Sequence, residues 1–244
     1  MKAHYLVWIL ICSVIRCFAG DVPNIVFITG EFEYHSKETF PEFARGLEQD
    51  YKVKTTILQR PDDEKVQSIS GLEKLADADL VILMMRRMVL PEDQMALIKK
   101  YLDSGKPLIG LRTASHSFEN WKEFDREVLG GNYGNHFEND RKTTVTIMPE
   151  ARDNPILRGV TSFVSDGALY RNTPLQPGSK PLLIGSAMGH PPQPVAWTHE
   201  YKSGRIFYSS LGHPNDFKEQ SFQNLLHHAI EWALNTPLQK RDVK

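Results

Sequence analysis

Two uninterrupted apolar runs, "NIVFIT" (Asn24 to Thr29) and "DLVILMM" (Asp79 to Met85), narrow the choice of fold more than any other feature. Runs so short, with no polar face, read as strands covered on both sides, the situation of a parallel sheet between two helix layers. "KVKTTIL" (Lys52 to Leu58) alternates and reads as a further strand. Amphipathic stretches separate these runs. "SKETFPEFARGLEQ" (Ser36 to Gln49) has helical spacing, and "PEDQMALIKKYLDSG" (Pro91 to Gly105) adds Pro at its first turn and Gly at its end. Strands alternating with helices indicate parallel βαβ units.

The pattern continues through "KPLIGLR" (Lys106 to Arg112), "KTTVTIM" (Lys142 to Met148), "KPLLIGSA" (Lys180 to Ala187), "PVAWTHEY" (Pro194 to Tyr201) and "RIFYSSL" (Arg205 to Leu211). The helix predicted over Phe217 to Asn235 places Phe222, Leu225, Leu226, Ala229, Ile230 and Ala233 on one face. The expected fold is α/β, a three-layer sandwich with a mostly parallel sheet. No internal repeat or low-complexity linker interrupts it, so residues 20–244 are expected to form one domain.

The first twenty residues stand apart. Lys2, an apolar run from Tyr5 to Ile15 and small residues up to Ala19 have the layout of a signal peptide over residues 1–19. The expectation is a secreted or periplasmic protein with no membrane attachment after cleavage. Cys12 and Cys17, the two cysteines of the chain, both fall in that segment. The remainder therefore has no thiol, which excludes a cysteine nucleophile and a disulfide framework. With 29 basic and 30 acidic residues, the chain has no general attraction to phosphate backbones, and nucleic acid is not an expected partner.

In open α/β sheets ligands bind beyond the carboxyl ends of the strands, which directs attention to "TGEFEYHS", "LRTASHSF" and "LGHPNDF". The second has the strand, sharp turn and short helix of a nucleophile elbow. It is similar to the Gly-Ile-Cys-Leu-Gly elbow of class I glutamine amidotransferases: Gly110 and Leu111 match, and Arg112 stands where that family has its cysteine. His213-Pro214 resembles the family's His-Pro-Glu, with Asn215 in place of the glutamate. A guanidinium stays protonated and cannot be a nucleophile, so glutaminase activity is not expected.

The closer resemblance is to the ThuA-like family, named from trehalose utilisation. It is carried by "GEFEYHSKETFPEFA", "GLRTASHSF", "LGGNYGNHF" and above all "PVAWTHEYKSGRIFYSSLGHPNDF". The resemblance implies a flavodoxin-like, class I glutamine amidotransferase-like domain, often exported and associated with metabolism of glycosides and their keto-sugar derivatives. A small-molecule carbohydrate is the implied partner. Relatives carry an acidic residue in the stretch that here reads "GALYRNTPL", where Gly167 and Ala168 stand instead.

Roles for individual residues follow from their chemistry. His213 is the candidate general base or acid, oriented by Asp216, because imidazole titrates near neutrality. Arg112 would hold a carbonyl or hydroxyl oxygen, and His116, four residues on, would share its cleft. Backbone N-H groups of Thr113 and Ala114 would steady an oxyanion. Glu31 and Glu33 are candidate acceptors of sugar hydroxyls, and His136 and Asn215 candidate substrate contacts. Ser36 with Thr39 would cap the first helix. No cofactor and no metal ligand set are assigned, although His116, His136 and His213 leave a zinc-dependent hydrolase as an alternative. A carbohydrate-binding module without catalysis is the other alternative.

Overall fold

A computed structural model describes residues 22–138 and 142–241. The expected signal peptide and both cysteines lie outside the described residues. The chain runs β1 (Asn24–Gly30), α1 (Ser36–Asp50), β2 (Lys54–Gln59), β3 (Leu80–Met85), α2 (Glu92–Asp103), β4 (Leu108–Leu111), β5 (Thr143–Ile147), β6 (Phe163–Ser165), β7 (Lys180–Ser186), β8 (Gln193–Tyr201), β9 (Gly204–Ser209) and α3 (Gln220–Leu234). Short 3-10 turns fill several connections.

The nine strands form one sheet in the order β2-β1-β3-β4-β9-β8-β7-β5-β6. From β2 to β9 every pairing is parallel. From β9 to β6 every pairing is antiparallel. The sheet is therefore mixed: the expected parallel arrangement holds from β2 to β9 and gives way to an antiparallel one beyond it. The reason lies in the connections: parallel neighbours need a crossover of a dozen or more residues, and no long helix intervenes between β5 and β9. β6 escaped the sequence reading because three residues are too few to show a period.

Side chains of successive strand residues point to opposite faces, and the core divides accordingly. Ile25, Phe27, Ile82 and Phe207 pack under α1 and α3. Val26, Leu83, Leu108 and Ile206 pack under α2 and the 3-10 turn Leu72–Asp77. The apolar face of α3 is buried as its spacing requires, with Phe222, Leu225, Leu226 and Ile230 each contributing roughly 1.5–3 kcal/mol. Its helix starts at Gln220, later than expected, because a 3-10 turn at Asp216–Lys218 precedes it. Trp197 and Tyr208 are fully buried and belong to the core.

Candidate functional site

The carboxyl ends of β1, β3, β4 and β9 open on one cavity of about 360 Å³. At the end of β4 the backbone turns sharply, and Arg112 takes a left-handed φ of 46°. A non-glycine residue held there costs of order 1–3 kcal/mol, and such strain concentrates at functional turns. Gly110 permits the turn: a Cβ on it would lie 3.0 Å from Leu129 Cδ2 and 3.2 Å from Ala114 Cβ. Tyr208 Oη locks it by donating to the Arg112 carbonyl at 2.7 Å.

The Arg112 side chain is 1% exposed. Its Nη1 donates to Ser210 O at 2.7 Å and Ala168 O at 3.1 Å, and its Nη2 to Tyr34 Oη at 3.3 Å. Its carbon centre lies 4.6 Å from the Tyr34 ring and 4.3 Å from the Tyr170 ring. Aromatic faces attract a cation. None of the hydrogen-bond acceptors is a carboxylate, and Nε has no partner. Gly167 matters here, since a Cβ on it would fall 2.8 Å from Arg112 Nη1.

The three histidines line the same cavity but differ in state. His213 Nδ1 accepts the Asn215 N-H at 3.3 Å, which leaves the proton of the neutral ring on Nε2. Burial lowers its pKa, against the opposing pull of Asp216 and Asp166. His136 favours the other tautomer: Nδ1 lies 2.5 Å from the Phe137 carbonyl oxygen and donates to it, which in the neutral ring leaves the lone pair on Nε2. His116 stacks on Tyr133 with ring centroids 4.5 Å apart. Burial, reinforced by Arg86, Arg87 and Arg112, pushes its pKa down to about 3, so it stays neutral. Burial raises the pKa of the Tyr133 and Tyr170 phenols, keeping both as protonated donors.

Asp216 does not orient the His213 ring, contrary to expectation. Its Oδ2 accepts the backbone N-H groups of Gly212 at 2.9 Å and His213 at 3.0 Å, and the Ser165 hydroxyl at 2.9 Å. It fixes the turn after β9 instead. Burial raises its pKa, and those donors work against the rise.

Comparison with known proteins follows this geometry. The family model described as trehalose utilisation matches residues 24–233. The chain belongs to the ThuA family. No curated protein matches it. Among solved structures, a ThuA-like protein from Parabacteroides merdae is 17% identical, with a TM-score of 0.68 over 92% of this chain and 94% of that one. A ThuA-like protein from Bacteroides uniformis is 18% identical, with a TM-score of 0.65 over 88% and 93%. A cold-adapted β-galactosidase from Rahnella is 16% identical, with a TM-score of 0.58 over 88% of this chain and 32% of that one. Likeness at these identities establishes the shared fold.

For this ThuA family member, the cavity gathers Arg112, His116, His136 and His213 from the expected residues. Glu31 is withdrawn from it. Its carboxylate is 2% exposed and accepts the N-H groups of Glu33 and Tyr34 at 2.6 Å and of Ser36 at 2.8 Å. It thus closes the loop before α1. The Ser36 hydroxyl also goes to Glu31, at 2.5 Å, rather than capping the helix. Thr113 is fully buried with Oγ1 unpaired. Asn215 acts at one remove, its Nδ2 donating to Asp166 Oδ2 at 2.8 Å. Glu33 does line the cavity, already ion-paired with Arg86 at 3.1 Å. Among the described residues no three His, Cys, Asp or Glu side chains gather as metal ligands.

Sequence reasoning missed Arg86, Arg87, Tyr34, Tyr133 and Asp166 as lining residues. Arg86 and Arg87 directly follow β3, and the strand-end rule applied to that strand would have found them. Asp166 had no such signal, because it follows the unrecognised β6.

Proposed function

We propose that this chain is an exported ThuA protein of carbohydrate metabolism that moves a proton next to the carbonyl of a glycoside-derived keto-sugar. The domain is best described as flavodoxin-like and related to class I glutamine amidotransferases, with glutaminase chemistry replaced. The observation that carries this reading is the convergence of Arg112, His136 and His213 on one cavity with complementary ring tautomers. His136 Nε2 has the lone pair to take a proton from carbon. His213 Nε2-H and the Arg112 guanidinium are donors suited to the carbonyl oxygen, on which the electron pair comes to rest as an enolate. Returning the proton to a neighbouring carbon isomerises the sugar, and loss of a β-substituent from the enolate cleaves it. No step needs a nucleophilic side chain. The export component is supported by the Lys2, apolar and small-residue pattern of the first nineteen residues.

The test is proton NMR of the protein in deuterated buffer with 3-keto-trehalose and 3-keto-sucrose, and with the parent sugars as controls. Loss of signal beside the carbonyl should depend on the protein. His136→Ala should slow that exchange by about 10²–10⁴-fold, the usual contribution of a positioned base. His213→Ala should slow it too while leaving binding nearly intact. Line broadening of a sugar with no exchange would replace this reading with the binding module.

A further inference from the structure

The cavity has an unbalanced set of donors and acceptors. Arg86, Arg87 and Arg112 line it, with three phenols and the Nε2-H of His213 as further donors. Its carboxylates are Glu33 and Asp166, and both are already engaged: Glu33 with Arg86 at 3.1 Å, Asp166 with Lys142 and with Asn215, each at 2.8 Å. A neutral sugar presents hydroxyls that both donate and accept, and a site built for it supplies free acceptors. Here few are free. The Arg112 guanidinium, almost fully buried, bonds only neutral oxygens and leaves Nε without a partner. The Asp216 carboxylate acts on it through space but makes no hydrogen bond to it, its Oδ2 being taken by Gly212, His213 and Ser165. A buried cation with no bonded counter-charge is costly, and a bound anion offsets that cost. Arg87 stands beside it on the wall, half-exposed, with Glu119 only at 3.8 Å.

We infer that the ligand of this cavity is an anionic sugar derivative, one carrying a carboxylate or a phosphate whose charge is met by Arg112 and Arg87. A guanidinium matches either oxyanion with two parallel N-H donors, which a hydroxyl cannot use. This rests on the reading of the cavity as the substrate site and narrows the substrate class from sugars at large to sugar acids or sugar phosphates.

Calorimetric titration of the full chain with glucuronate, gluconate, glucose 6-phosphate, glucose and trehalose tests the inference. At least one acid should bind about tenfold or more tightly than the neutral sugars, and raising salt should weaken it. Preference for glucuronate or gluconate identifies a carboxylate, and preference for glucose 6-phosphate a phosphate. Arg87→Gln, exposed enough to leave folding intact, should weaken the acid about three- to tenfold, and Arg87→Lys by less. Neutral sugars binding as tightly as the acids, no acid binding, or an Arg87→Gln variant with unchanged affinity would each overturn it. Proton exchange on a neutral keto-sugar without acid binding sinks the inference and leaves the proposed reaction standing. Acid binding without exchange does the reverse.

Discussion

The two halves of the sheet follow different rules, and the cavity lies where they meet. In the parallel half β1, β3 and β4 are buried along nearly their whole length, and helices cover both faces. Their ends are fixed in space; Arg86 and Arg87 follow β3, Arg112 follows β4, and the His213 ring follows the adjoining β9. In the antiparallel half β5 and β7 mix buried and exposed positions, and this half contributes Asp166, Gly167, Ala168 and Tyr170 from the loop after β6. One half presents cations on a rigid frame, and the other lays a loop across them. Arg112 joins the halves by donating from one nitrogen to Ser210 O beyond β9 and Ala168 O beyond β6. Asp216 joins them again through Ser165 of β6.

The sharpest way to break this arrangement is Arg112→Met. The substitution removes a buried charge but strands two carbonyl oxygens, each costing about 1–3 kcal/mol when left unpaired, and loses two ring contacts. We expect a net loss of about 3–5 kcal/mol in urea unfolding, with Arg112→Lys intermediate because an ammonium cannot span both carbonyls with a planar fork. A methionine variant as stable as the parent would mean that desolvation of the guanidinium dominates and that the seam is held elsewhere.

Asp216→Ala attacks the second tie. Three donors lose their acceptor, the Gly212 and His213 N-H groups and the Ser165 hydroxyl. The expected loss is about 2–3 kcal/mol, less than for Arg112 because water can reach the half-exposed turn at His213. Asp216→Asn keeps one acceptor oxygen and should recover most of it. If Asp216→Asn, which keeps an acceptor oxygen but not the charge, also lowers the apparent pKa of His213 by NMR, the carboxylate acts on the ring through charge as well as through the backbone.

The same division explains what the sequence made legible. Continuous apolar runs exposed the parallel half, and a turn next to Arg112 exposed the elbow, because burial on both faces and a tight turn leave local signatures. In β5 and β7 buried and exposed positions mix irregularly, so neither a continuous apolar run nor a clean alternation marks the direction of their neighbours. Glu31 was misread for a related reason. A carboxylate after a strand looks like a ligand acceptor until the loop is seen folding three N-H groups back onto it. The tautomers of His136 and His213 depend on a carbonyl and an N-H placed by tertiary structure, beyond the reach of spacing alone.

Asp125 tests the crossover between the halves, with the smallest expected effect. It begins a π-helical turn at Asp125–Leu129, is 5% exposed, accepts the Tyr133 N-H at 2.7 Å through Oδ2 and has no partner at Oδ1. Gly131 packs so close that a Cβ there would sit 2.4 Å from Oδ1. Burial pushes its pKa from 3.8 up to about 7, with the Tyr133 N-H and the Arg126 charge opposing too weakly to prevent it. The folded protein then binds the proton more tightly than the unfolded chain does. Stability from this group is therefore greatest below about pH 4, falls as pH rises towards 7, and is level above that. The full linkage would be roughly 4 kcal/mol, but Asp125 borders a second cavity of about 300 Å³ whose water screens it. A difference of about 1–2 kcal/mol is expected. Asp125→Asn should remove that slope while keeping the Tyr133 hydrogen bond, so urea midpoints measured from pH 4 to 8 should converge at the acid end and favour the variant at pH 8. Parallel curves for the two proteins would mean that the carboxyl ionises normally and that the crossover loop opens to admit water, leaving the Tyr133 wall of the cavity mobile rather than fixed.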